Sequence, residues 1–277
     1  MGLTLSVITD EISPDLDKGV AFAVEEGLTQ VDIRSIGGQN FMSLDAAAQS
    51  RIARVVRDAG LTVGCLATPL LKWTAPGQPA GDAGDQFGFD AKGRSTEAIY
   101  TAAFEAAGVL GTRNLRIFSY LTYPGFKPAD LEAPYAALLA LAERYDMVLH
   151  VENEPVCNIL SVAQLGHLTR TWNHPRLRGL LDIGNSTFAG APPTAAEITA
   201  VMPHVDQVHF KDYSKARQGY VPMGEGDIPW ATLLAPCHQA ARERHQVWTI
   251  ETHVPGDQPE ATRRSLAGLR RLAGAAA

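Results

Sequence analysis

The chain has few cysteines. Cys65, Cys157 and Cys237 are far apart and form no CxxC pair. That removes a disulfide framework and reads as reduced thiols in a cytoplasmic protein. No stretch approaches the roughly 18 consecutive apolar residues that span a bilayer, and the N-terminus has no basic segment followed by an apolar one. Positive charge is also short: 24 Lys and Arg against 30 Asp and Glu give a formal charge of −6. A partner held mainly through phosphates is disfavoured, because nucleic-acid binders carry a basic face. The expected partner is a small molecule, with no nucleic acid and no membrane; self-association stays open.

The chain is 45% hydrophobic over 277 residues, enough for a sizeable core. Short apolar runs alternate with longer amphipathic ones. Strands are expected at Leu3–Ile8, Gln30–Arg34, Leu61–Leu66, Asn114–Phe118, Met147–Glu152, Arg178–Asp182, Val205–Lys211 and Gln246–Glu251. A helical stretch follows each, opened or closed by such signals as Pro14, Gly60, Ser95 and Gly111. Eight βα units at about 35 residues each predict an α/β fold, a single (β/α)8 TIM barrel over residues 1–277. The Gly-, Pro- and Asp-rich stretch 68–94 carries Trp73, Phe87 and Phe89, and reads as a loop over the barrel mouth.

In such a barrel, chemistry sits at the C-terminal ends of the strands. Side chains alternate along a strand, so on strand five His150 and Glu152 point inward while Leu149 and Val151 face the helices. By the same phase Asp182 is the tip of strand six, His209 and Lys211 point inward on strand seven, and Thr249 and Glu251 on strand eight. Three carboxylates and one imidazole on one rim repel unless a cation is present. Glu152, Asp182, His209 and Glu251 are therefore expected to hold one divalent metal ion. The oxygen-rich set suits Mn, Mg or Co, with Zn also compatible.

The motifs Val151-Glu152-Asn153, Leu181-Asp182-Ile183-Gly184-Asn185, Val208-His209-Phe210-Lys211-Asp212, Ile250-Glu251 and the turn Gly224-Glu225-Gly226-Asp227-Ile228 resemble those of the xylose isomerase-like barrel superfamily. The resemblance covers nearly the whole chain. It implies that the four residues bind the metal and that Glu152 and Glu251 also move protons. The implied activity is a metal-dependent isomerase or epimerase acting on a sugar, sugar phosphate or related α-hydroxy carbonyl through an enediolate. Alternatives are a metal-dependent lyase or dehydratase of the same superfamily and a non-catalytic sugar-binding barrel. The superfamily's nucleases need further histidines on earlier strands, and all eight here lie at or beyond His150. The epimerases carry a histidine three residues after the strand-six aspartate, where this chain has Asn185.

Around this core, Asn185 is expected to hydrogen-bond a substrate hydroxyl. Lys211 is expected to hold a phosphate or alkoxide, or else to pair with Asp212 or a rim acid. Arg217 is expected to meet an anionic substrate group, and Trp73 to cover a sugar's apolar face. His150 reads as a barrel-interior residue, Glu154 as a supporting acid or solvated residue, His253 as a loop residue, and Glu225 as shaping the start of the next helix.

Overall fold

The computed structural model describes residues 2–79 and 84–275. Residues 80–83 of the predicted mouth loop and the two extremities of the predicted domain lie outside that range. Eight parallel strands form the barrel: β1 Leu3–Val7, β2 Gln30–Ile33, β3 Thr62–Leu66, β4 Asn114–Ile117, β5 Val148–Glu152, β6 Leu177–Asp182, β7 Val205–Phe210 and β8 Gln246–Ile250. They pair in the order β1-β8-β7-β6-β5-β4-β3-β2, and a parallel bridge between Ile8 and Asp32 joins the last strand to the first. The expected TIM barrel is present. No helix among the described residues is long and apolar enough to cross a membrane.

The helices are α1 Leu16–Glu25, α2 Ala46–Asp58, α3 Thr96–Leu110, α4 Glu132–Arg144, α5 Val162–Trp172, α6 Ile183–Phe188, α7 Ala195–Val201, α8 Trp230–Glu243 and α9 Gln258–Ala275. Their starts follow local hydrogen-bond chemistry. Asp45 and Ser95 accept from backbone N–H groups of the first turns of α2 and α3. Ser161 with Gln164 and Thr194 with Glu197 form reciprocal capping boxes. Helix α1 begins after Pro14, because Asp15 accepts from the Asp17 N–H and fixes the start there. Short α6, absent from the sequence reading, starts directly at the tip of β6.

Two features at the mouth position the site. A ribbon of Asp212–Ser214 and Gly219–Val221 rises after β7. Asp212 is fully buried at its base and accepts from the N–H groups of Tyr213, Gly224, Gly226 and Ile228. One carboxylate therefore organises the whole 224–228 turn. Asp212→Ala strands these donors and is expected to cost about 2–3 kcal/mol in chemical denaturation, the usual penalty for unpaired buried groups; a loss under 0.5 kcal/mol would deny Asp212 that role. Glu225, expected to shape the start of a helix, instead pairs with Arg264 and ties the turn to α9.

Candidate metal centre

Strand phase delivers the four ligand-type residues to one point. Glu152 and Asp182 end β5 and β6, His209 lies one residue before the end of β7, and Glu251 follows β8 directly. All four are at most 2% exposed. One ligand atom from each lies within 4.8 Å of the others. Atoms bonded to one divalent ion at about 2.0–2.6 Å are at most about 5 Å apart, so the spacing suits a single ion. His209 Nδ1 is 3.1 Å from both Glu152 Oε1 and Glu251 Oε2.

Asp182 has two jobs. Its Oδ1 accepts from the Asn185 N–H at 2.6 Å and caps α6, while its Oδ2 lies 3.0 Å from Lys211 Nζ. Asn153 locks the same tip, accepting from the Asp182 N–H and donating to its carbonyl. Gly184 is required beside it, since a Cβ there would stand 2.4 Å from Lys211 Cγ.

Three buried cations, two of them outside the sequence reading, surround the cluster. Arg116, inward on β4 and 1% exposed, is 3.1 Å from Glu152 Oε2 and 3.6 Å from Glu251 Oε1. Arg34, just past β2, donates to Asp10, Glu11 and Glu251 at 2.9, 2.6 and 2.9 Å. Lys211 donates to Glu251 at 2.7 Å. It thus takes the rim-acid alternative and not Asp212.

These neighbours set the protonation states. Burial alone would raise the Glu152 carboxyl, but Arg116 and His209 hold it down at about 2. Burial opposes the charge on Glu251 too, and Lys211, His253 and His209 pull it well below the usual carboxylate range. Asp182 goes the other way: burial, with Glu152 and Glu251 adding repulsion, outweighs Lys211 and lifts it to about 6. Burial would lower His209, yet the Glu152 and Glu251 charges raise it to about 10.

The residues present fit a divalent ion on three counts. The donor set is three carboxylates and one imidazole nitrogen. Glu152 Oε2 and Asp182 Oδ2 are buried without a well-directed hydrogen bond, despite their ion-pair distances to Arg116 and Lys211. The ion-paired network also lacks positive charge. Asp10, Glu11, Glu152, Asp182 and Glu251 supply five carboxylates; Arg34, Arg116 and Lys211 supply three cations. With His209 protonated, as Glu152 and Glu251 hold it, one negative charge remains; once His209 gives up its proton to serve as a ligand, two remain, the charge one divalent ion balances.

A cavity of about 220 Å³ opens onto this cluster, with Glu251, Arg116, Lys72, Glu154, Asn185 and Tyr220 in its wall. Of the four ligand-type residues only Glu251 lines it; Glu152 lies deeper, behind Arg116. Asn185 reaches the wall but is engaged, donating to the Asn153 carbonyl and Glu154 and accepting from the Tyr220 hydroxyl. Glu154 is 3.3 Å from Lys72. His253 does more than its loop position suggested: its Nε2 is 3.2 Å from Glu251. His150 is buried inside the barrel.

Two expected substrate contacts are not brought together with the rest. Arg217 is exposed at the turn of the 212–221 ribbon. Trp73 stacks on Phe89 and packs on the core, outside the cavity wall. The aromatic rings in the cavity wall are Phe87, Phe188 and Tyr220; the Phe87 centroid is 4.1 Å from the Arg34 guanidinium carbon and 4.8 Å from Lys72 Nζ.

The model of the xylose isomerase-like TIM barrel family matches residues 20–272. The chain belongs to that family. No curated protein sequence matches it. Solved structures share the fold at low identity. A probable 3-DHS dehydratase, AsbF, from Bacillus anthracis is 17% identical over 95% of this chain and 98% of its own, with TM-score 0.73. The IOLI protein, solved with a binding zinc atom, is 14% identical over 99% of both chains, with TM-score 0.73. The D-allulose 3-epimerase from Methylomonas sp. is 15% identical over 98% of both chains, with TM-score 0.74. In this family's terms, the cluster sits where the barrel's strand tips converge.

Proposed function

We propose that this xylose isomerase-like barrel is a divalent-metal-dependent isomerase or epimerase of a sugar or related α-hydroxy carbonyl. The observation that carries it is the buried set Glu152, Asp182, His209 and Glu251, in a network whose carboxylates outnumber its arginines and lysine, below a small cavity that Glu251 lines. These four residues would hold the ion. Bound there, a divalent ion supplies Lewis-acid stabilisation of negative charge developing on a carbonyl oxygen.

The chain's own side chains supply the rest. Glu251, ionised and at the cavity wall, is placed to take a proton from the carbon beside that carbonyl. Glu251 then carries that proton and can give it back, while Glu152, which shares His209 Nδ1 with Glu251, is the second carboxylate and must first take up a proton from water before it can deliver one to the enediolate. Return to the same carbon from the opposite face gives epimerisation; return to the neighbouring carbon gives isomerisation. Asn185 and Tyr220 bring polar groups to the wall where hydroxyls would lie. A structurally similar epimerase and a dehydratase are consistent with this class of substrate.

Two measurements test the reading. Elemental analysis after reconstitution with Mn²⁺ is expected to find about one ion per chain, and none in Asp182→Ala; a wild-type chain that binds no ion sinks the proposal. In D₂O, the reconstituted protein is expected to wash deuterium into carbon of a ketose or hydroxypyruvate. A lyase begins with the same proton removal but releases a conjugated carbonyl seen in the ultraviolet. Complete absence of label and of such a product across ketoses, their phosphates and hydroxypyruvate would reject both chemistries.

A further inference from the structure

A second cavity, of about 370 Å³, adjoins the first; the two share Asp85, Phe87 and His253 in their walls. The inner one, at about 220 Å³, falls below the roughly 300–1,000 Å³ typical of small-molecule sites. The outer one is large enough for a further sugar ring. Its wall is built and not incidental. Gly88, at φ 67°, packs so closely that a Cβ there would stand 1.9 Å from the Gly38 carbonyl oxygen, and the Asn40 N–H donates to the Gly88 carbonyl. That contact holds Phe87 between the two cavities.

The charges around both cavities decide what fits. Every Arg34 nitrogen donates to a carboxylate, and Phe87 lies against the guanidinium. Arg116 faces Glu152 and Glu251, and its other nitrogens point at the Thr68 and Ala67 carbonyls. Lys72 is paired with Glu154. So each lysine and arginine lining the cavities already faces a carboxylate, which offsets the positive charge a phosphate would need. The outer wall adds Asp10 and Glu11 to the shared Asp85. Asp10 Oδ1 is itself buried and its Oδ2 is held by Arg34 and Ser35, so the carboxylate presented on this wall is the exposed Asp85. Carboxylates accept from hydroxyls and repel anions.

We propose that the outer cavity is a glycosyl subsite, so that the substrate is a neutral glycoside or disaccharide whose reacting ketose end occupies the inner cavity, and not a sugar phosphate. The inference rests on the function proposed above for the inner cavity. Three probes with the same ketose end test it: fructose, fructose 6-phosphate and isomaltulose, which carries a glucosyl group on the same oxygen. Deuterium wash-in by the Mn²⁺-reconstituted protein is expected to favour isomaltulose over fructose by at least about tenfold in kcat/KM, the effect of one or two good hydrogen bonds, and to be weakest for the phosphate. Saturation-transfer NMR is expected to show the glucosyl protons in contact with the protein. Gln258→Trp, which narrows the outer cavity from the start of α9, is expected to bring the isomaltulose-to-fructose ratio towards one.

Equal or better turnover of fructose or its phosphate overturns the subsite and leaves the proposed function standing. Isomaltulose binding that Gln258→Trp weakens, with no label from any probe, supports the subsite and overturns the function. Absence of both binding and label overturns the subsite.

Discussion

Replacing Glu152 by glutamine is expected to abolish turnover, by at least about a thousandfold, while the barrel stays folded. General acid–base groups contribute about 10²–10⁴-fold, and this substitution also removes one of the three anionic ligands proposed for the ion. The fold survives because glutamine keeps the shape and lies behind Arg116, which retains Glu251 as a partner at 3.6 Å. The check pairs deuterium wash-in with circular dichroism and a Mn²⁺ titration. Full activity with glutamine at 152 would remove the residue from the chemistry. Normal Mn²⁺ affinity with lost turnover would leave it a proton carrier and deny it the ligand role.

Arg116→Met is expected to show the second large effect, on stability. Arg116 is 1% exposed, faces the rings of Phe118 and Phe87, and is the cation nearest Glu152 Oε2. Methionine fills much of its volume but leaves a buried carboxylate without that partner. Breaking a buried ion pair from one side costs about 3–5 kcal/mol, and chemical denaturation in EDTA should show a loss of that size. Saturating Mn²⁺ should narrow the gap, because an ion bound by the native state adds about 2.7 kcal/mol at a hundred times its Kd and supplies the positive charge the variant lacks. An equal Mn²⁺ gain in wild type and variant would show that the two charges do not substitute for each other.

The strand tips were legible because the barrel converts period two into geometry. Once β5 to β8 are in phase, Glu152, Asp182, His209 and Glu251 have only one rim to meet on. The same rule on β2 and β4 would have found Arg34 and Arg116. A lone inward arginine, however, reads as a charge at a strand edge until its carboxylate partners, up to 217 residues away, are known. Phe87 was harder. Its backbone is left-handed at φ 53° in a loop rich in glycine and aspartate, and only the contact of Gly88 with Gly38 turns its ring to the mouth. Trp73 had the better composition for a sugar platform, but its ring is spent on Phe89. Lys211 had two readings in sequence, and the decision lay in Asp212, whose oxygens are already taken by the 224–228 turn.

The double duty of Asp182 makes assembly of the centre cooperative. One oxygen starts α6 and the other faces the cluster, so the helix and the site form or fray as a unit. The other two acids of the centre are glutamates, with reach to spare; this one must be short, because a side chain longer by one methylene cannot cap α6 and keep its second oxygen in place. Of the four corners of the centre, Asp182 is the one at which a change conserving charge still changes the architecture.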